Sequence, residues 1–490
     1  MGEIIAQILT KTSGACVMNT DKKLFLLDVD NIQGYIFDTN KLRTIIGASW
    51  IIDHINAADD GNTLELLKKN GFGSTIDDIR KHKDFIYSSG GNTKIIFDSF
   101  EKAQKFETAI TYAYARYEIP VTTYIQTVDD TDFINKTLIP AETALAQKKY
   151  SKAFEMDIPA SPYFKICELC GKRYASEKSR KSVVCNICKV RYDKGGKKTR
   201  LFPDYTFVTN MEKMRLRSDM VALVVMDGNR IGEKIAGLDS IEKLQEFAAA
   251  LESIIKDAFD LSLDRTFPDE KSACSFGSIR PLIMGGDDLC FIIDAANALN
   301  FVNTFTQEIA GQSQNQNGPF GRQGVQFSTG ILFAKRNYPF NFAYRIAHSL
   351  LRSAKRYSRE HKDCSAVDFH FLLTSSGDEI EKVRENEYRY GDHFLTAKPY
   401  LASELDSLRT AAVNLRLLSK NKIKSMRKIL RLGRYQSTVE LLKYAIRMDQ
   451  AERKKYRDLL NSFGWRKHKG EHFWRTRLLD LAELTDMVRR

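Results

Sequence analysis

Residues 221–294 constrain this chain more than any other stretch. They open with VALVVMDGNRIGEKIAG, an apolar run from Val221 to Met226 that leads into Asp227, a glycine-containing turn and a short amphipathic segment. They close with PLIMGGDDLCFIID, two apolar runs (Pro281 to Met284, Leu289 to Ile293) joined by Gly285-Gly286-Asp287-Asp288. The pattern predicts a strand–turn–helix unit and a β-hairpin, because glycine enters positive φ without a Cβ clash. Turn chemistry does not require two adjacent carboxylates. Like charges repel, so they are cheap only when solvated or neutralised by a cation. Asp227 adds a third carboxylate at the C-terminal end of a strand, where α/β sheets hold ligands. Hard oxygen donors from two strands suit magnesium or manganese, and two such ions can clamp the attacking and leaving oxygens of a phosphoryl transfer. For GGDD alone, a solvated turn is the competing reading; the strand–Asp–helix unit upstream favours chemistry.

The first half repeats this layout. Leu24 to Leu27 is an apolar run ending in Asp28, and Ile45, Ile46, Trp50, Ile51 and Ile55 have helical spacing. Phe85 to Tyr87 and Lys94 to Phe97 flank Gly90-Gly91 as a second hairpin. Asp28 and Gly90 are 62 residues apart, Asp227 and Gly285 58. Matching the glycine pairs sets Asn92-Thr93 against Asp287-Asp288. An amide and a hydroxyl cannot replace two carboxylates around a divalent cation, so this half is expected to keep the fold and lose the metal.

Between the halves lie Cys167-x2-Cys170 and Cys185-x2-Cys188, two knuckles that predict a closed tetrahedral zinc site. The other four cysteines are scattered, and the N-terminus lacks an export signal, so the thiols are expected to be reduced and the protein cytoplasmic. No run approaches membrane-span length. The net charge of +13 is uneven: residues 401–490 carry +12, residues 161–200 carry +9, and the remainder −8. Two basic modules on an acidic body point to phosphate-backbone contacts, with plain solvation as the alternative. His468, Glu471 and His472 match H-x-x-E-H, but Gly470 weakens the helix that a peptidase motif needs.

The strand–Asp–helix unit and GGDD hairpin resemble the palm of GGDEF-type nucleotide cyclases. More closely, they resemble the large polymerase/cyclase subunit of type III CRISPR effector complexes (Csm/Cmr type). FSTGILF (Phe327 to Phe333) is similar to a further palm strand, and Val367 to His370 to the strand closing the second palm. Tyr344 to Arg356 is similar to the family's late helix, whose lysine, here Lys355, meets nucleotide phosphates. IGASWIIDHI and the GGN hairpin resemble the family's first, non-catalytic palm.

The resemblance implies an α/β (α+β) fold with two ferredoxin-like palms, a four-cysteine zinc module and a C-terminal helical bundle. The expected divisions are an N-terminal segment (1–20), degenerate palm (21–150), zinc module (151–202), catalytic palm (203–380) and basic helical domain (381–490). It implies a nucleotidyltransferase that condenses ATP into cyclic oligoadenylate when target RNA is bound, in antiviral defence. Asp227 and Asp287 would hold magnesium, and Asp288 would support the metals or help deprotonate the attacking hydroxyl. Gly228, Gly285, Gly286 and Lys355 would contact one nucleotide, and Gly90, Gly91 and Asn92 the acceptor. Guide RNA, target RNA and other effector subunits are the expected partners. Asn229 stands where relatives often have a second aspartate. No histidine here is followed by aspartate, so the family's HD nuclease and DNA cleavage in cis are not expected. Two other readings stay open: a stand-alone signalling cyclase with another product, and a catalytically silent scaffold for RNA and partners.

Overall fold

A computed structural model describes residues 21–57, 62–129, 131–152, 163–179, 182–315, 318–372, 380–467 and 473–488. The N-terminal segment 1–20 and the His468–His472 motif lie outside the described residues. The first sheet comprises β1 (Lys23–Val29), β2 (Phe85–Ser89), β3 (Asn92–Phe97) and β4 (Val121–Thr127) in the order β2-β3-β1-β4. All its pairings are antiparallel, with helices Leu42–Asn56 and Phe100–Ala115 as crossovers. This is the ferredoxin-like β-α-β-β-α-β plan.

The second sheet repeats it. Strands β5 (Met220–Gly228), β6 (Ile279–Gly285), β7 (Asp288–Asp294) and β8 (Phe327–Lys335) run in the order β6-β7-β5-β8. It is extended by β9 (Ala366–Phe371), parallel to β8, and by β10 (Tyr400–Leu401). Side chains alternate faces along a strand. Val221, Leu223 and Val225 enter a core shared with the first palm, whereas Ala222, Val224 and Met226 enter a core shared with the C-terminal helices. Burial on both faces explains why β5 reads as an unbroken apolar run and not as an alternating one.

The two hairpins carry a β-bulge at the same place, between Phe85 and Tyr87 and between Pro281 and Ile283. Counting from the bulges, Ser89 pairs with Asn92 and Gly285 with Asp288. Gly90-Gly91 therefore corresponds to Gly286-Asp287, and Asn92 to Asp288. The glycine-to-glycine match made from sequence is off by one residue, because the ladder register is set by the bulge and the two-residue turn. Thr93 is not a counterpart of Asp288 but a fully buried strand residue. Gly91 cannot become aspartate: its φ is +84°, and a Cβ there would lie 2.4 Å from Ile32 Cδ1. Asp287, in the corresponding corner, has no such positive φ.

The four-cysteine module has a short hairpin (Glu177–Ser179, Ser182–Val184) and helix Asn186–Lys194, which lies against helix Leu42–Asn56. Gly47 permits the approach, since a Cβ there would sit 1.7 Å from the Arg191 carbonyl oxygen. The C-terminal region is helical as expected, but it also folds a small sheet. Arg389–Tyr390, His393–Phe394, Trp465–Lys467 and Trp474–Thr476 supply strands too short to show a period in sequence. Its helices pack onto the second palm: Leu408, Leu415 and Met426 belong to the same core as β5. Among the described residues no helix is long and apolar enough to cross a membrane.

Candidate active site

Pairing of Leu289 with Met226 sets Asp288, the first residue of β7, beside Asp227 near the end of β5. Asp287 occupies the turn and lies over Gly228, where a Cβ would be 2.9 Å from that of Asp287. Across from them stands the first hairpin. Gly90 and Gly285 meet backbone to backbone, and a Cβ on Gly285 would fall 2.5 Å from the Gly90 Cα. Tyr87 limits Gly286, its hydroxyl being 3.1 Å from where a Cβ would stand. Of the predicted glycines, Gly90, Gly285 and Gly286 are where the palms touch, whereas Gly91 and Gly228 pack within their own palms.

A cleft of about 310 Å³ opens between the hairpins. Asp28, Asn92 and Lys94 line it from the first palm, Asp287 and Asp288 from the second, and Leu244, Phe247 and Leu251 of helix Ile241–Thr266 add an apolar wall. Desolvation, followed by repulsion from Asp227, raises the Asp287 carboxyl to about 6. The same causes, with Asp287 added, raise Asp288 to about 8. Asp287 and Asp288, with Asp227 beside them, form an oxygen donor set that fits a divalent cation. Among the described residues, only the cysteine tetrad has three or more potential ligands already drawn together, within 4.8 Å.

Lys355, on helix Phe340–Glu360, forms an ion pair with Asp227. The lysine expected at the phosphates is here seated on the carboxylate. The first palm has the same pair: Lys149, on helix Ile139–Tyr150 after β4, lies 2.5 Å from Asp28. Sequence reasoning missed Lys149, although its separation from Asp28 (121 residues) nearly matches that of Lys355 from Asp227 (128).

Asn229 does not face the carboxylates. It is buried, donates from Nδ2 to Ser358 Oγ at 3.0 Å and accepts at Oδ1 from Ser328 at 2.7 Å. It ties the ends of β5 and β8 to the helix turn next to Lys355, so the amide is structural. Asn56, also unforeseen, braces the first hairpin. Its Nδ2 donates to Thr93 Oγ1 at 2.6 Å, and its Oδ1 accepts from the Gly91 N–H at 2.9 Å.

Away from the cleft, Cys167, Cys170, Cys185 and Cys188 converge as a tetrahedral thiolate site requires. Their module is anchored on the first palm by Arg191. That side chain is fully buried, 2.5 Å from Asp38 and 3.7 Å above the Tyr35 ring centre.

This geometry has relatives. Residues 220–366 match the family description "Cas10/Cmr2, second palm domain". Among solved structures, the chain resembles Csm1 in a Csm1–Csm4 cassette in complex with cA3 (TM-score 0.59, 13% identity, 98% of this chain and 71% of that one). It likewise resembles the cassette in complex with AMPPNP (TM-score 0.58, 14% identity, 98% and 71%). Csm1 in T. onnurineus gives a TM-score of 0.57 at 13% identity over 96% and 70%. No curated protein matches the sequence significantly.

Proposed function

We propose that this chain, which carries the second palm domain of the Cas10/Cmr2 family within a Csm1-like fold, is a type III CRISPR effector subunit that condenses ATP into cyclic oligoadenylate. One observation carries the reading: Asp287 and Asp288 of one palm, with Asp227 beside Asp288, open on a cleft whose other wall is a second palm that keeps only Asp28 of these three positions. Two nucleotides can then lie face to face in unequal roles. The acceptor rests against Asn92, Lys94 and the Gly90-Gly91 backbone, presenting its 3′-hydroxyl. The donor lies along Gly228, Gly285 and Gly286, with its α-phosphate toward Asp287.

Condensation forms a bond from the 3′-oxygen to the α-phosphorus and breaks the one to the bridging oxygen, releasing pyrophosphate. Asp288, whose carboxyl is raised furthest, takes the hydroxyl proton. Lys355 neutralises Asp227 and stands ready to meet phosphate charge. Asp227, Asp287 and Asp288 would hold magnesium or manganese, which supplies Lewis-acid charge to the phosphoryl oxygens. Incubation with ATP and magnesium, with and without RNA, followed by mass spectrometry tests this. Cyclic oligoadenylate from wild type and none from the D287A/D288A variant is the expected result; products from both would defeat it.

Solved relatives in Csm1–Csm4 cassettes support a setting in a multisubunit effector, and the basic tail is the feature that points to RNA as a partner. The +12 tail offers Lys424 and Lys428, both exposed on helix Lys420–Leu430, whereas Arg427 is spent on Glu387 and the Tyr388 ring. Reversing Lys424 and Lys428 to glutamate should weaken RNA binding and flatten its salt dependence. Unchanged affinity at two salt concentrations would assign that face to solvent.

A further inference from the structure

A second cavity shares the Gly90 and Gly285 backbone with the catalytic cleft but contains none of the three site carboxylates. Its walls are Trp50 and Asp53 of helix Leu42–Asn56, the 197–201 segment leaving the zinc module, and Arg280 in β6. The space is about 60 Å³, several times what one water needs and far too small for a nucleoside.

Two polar atoms of this wall, Arg280 Nε and Thr199 Oγ1, are buried without a hydrogen-bond partner. Arg280 is 4% exposed. Among the described residues its guanidinium meets no carboxylate, only the Phe207 ring, whose centre is 5.7 Å away. Desolvation lowers its pKa to about 10, so it remains charged at neutral pH. A buried charge without a counter-charge is among the costliest arrangements a fold can hold. Among the described residues the only acid on the wall, Asp53, is engaged by Arg200 at 3.1 Å. Lys197 and Lys198, both exposed, add two more cations at the rim.

Two orphaned donors on residues that line one small, positively charged space define the missing partner. We propose that this cavity is a binding site for a phosphate group, with Arg280 Nε and Thr199 Oγ1 donating to its oxygens and Lys197 and Lys198 at the entrance. The group enters either as the free ion or as the terminal phosphate of a larger molecule whose remainder stays outside. It sits directly behind the backbone contact that positions the GGDD turn.

The test is calorimetric titration and thermal unfolding of the full chain, without magnesium or nucleotide, using inorganic phosphate, AMP, and sodium chloride of equal ionic strength. Wild type should bind one phosphate here and unfold at a higher temperature in its presence. R280M should weaken that binding at least tenfold. Unusually for a core substitution, it should not lower the unfolding temperature in phosphate-free buffer, because it removes an unpaired charge. T199V, nearly isosteric and expected to fold, should weaken binding roughly three- to tenfold through loss of one hydrogen bond. Matching affinity for AMP identifies a carried phosphate, and preference for the inorganic ion identifies the free one; either supports the site. No phosphate response in wild type, a response that chloride reproduces, or equal binding by all three proteins would overturn it.

Discussion

Lys149 lies 2.5 Å from Asp28, holding the first palm's strand-end carboxylate as Lys355 holds Asp227 in the second. The internal repeat thus preserves a charge pair even where it has lost the other two carboxylates. Both pairs are only partly shielded from water, so their purpose is positional more than stabilising. Lys149→Met should raise the KM for ATP about fivefold with a smaller change in kcat, because the acceptor's wall is altered. Lys355→Met should lower kcat at least tenfold. Steady-state kinetics with pyrophosphate detection separates the two, and identical effects would contradict the division of roles.

The raised carboxyls make a signed prediction about pH. Asp287 and Asp288 move from an ordinary value of 3.8 to about 6 and about 8. The folded state therefore binds more protons than the unfolded one between these values and pH 4. The stability they contribute is fully present below about pH 4 and is lost as pH rises through 6 toward 8. Metal-free protein should unfold about 1–3 °C lower at pH 8 than at pH 5 on this account. The D287A/D288A variant should lose that difference, and magnesium should restore wild-type stability at pH 8. Calorimetric scans at the two pH values read this directly.

Asn229→Asp should not create a new metal ligand. Its side chain faces Ser328 and Ser358, and a carboxylate can no longer donate to Ser358. Stability should fall by about 1–3 kcal/mol, the usual consequence of leaving a buried polar group mispaired. Activity should fall with it through the helix carrying Lys355. Equilibrium unfolding with manganese titration would expose an error if metal affinity rose instead.

Asn56→Ala removes the acceptor for the Gly91 N–H and a donor to Thr93. We expect a loss of about 1–3 kcal/mol in denaturant unfolding, from the buried Gly91 N–H left without an acceptor, since Thr93 Oγ1 keeps Ser88 Oγ at 3.0 Å. Nucleotide binding should weaken even though Asn56 itself does not line the cleft. An unchanged midpoint would show that the turn holds without this brace.

Zinc analysis should find one ion per chain, bound by Cys167, Cys170, Cys185 and Cys188. Cys185→Ser should be more damaging than loss of a ligand alone, since its sulfur also caps helix Asn186–Lys194 through the Cys188 N–H at 3.4 Å. That helix carries Arg191 into the first palm, so a drop of about 5 °C or more in unfolding temperature should follow before any direct effect on chemistry. A chelator-treated wild type with unaltered unfolding would refute a structural zinc.

Local chemistry made much of this protein legible from its residues alone. Runs such as Val221 to Met226 announce strands, Gly285-Gly286 announces a turn, and two CxxC knuckles announce a tetrad, because each signal lies within a few consecutive residues. Paired acids at a hairpin tip are similarly local. What tertiary structure alone decided depends on partners far apart in the chain. The bulge register that aligns Gly91 with Asp287 is set by pairing to neighbouring strands, not by glycine identity. Asn229 looked like a degenerate ligand until Ser328 and Ser358 proved to enclose it. Lys149 reaches Asp28, and Arg280 and Thr199 line one cavity, only because sheets and helices bring them together, and whether a charge is paired or orphaned is a property of that packing and of no single segment.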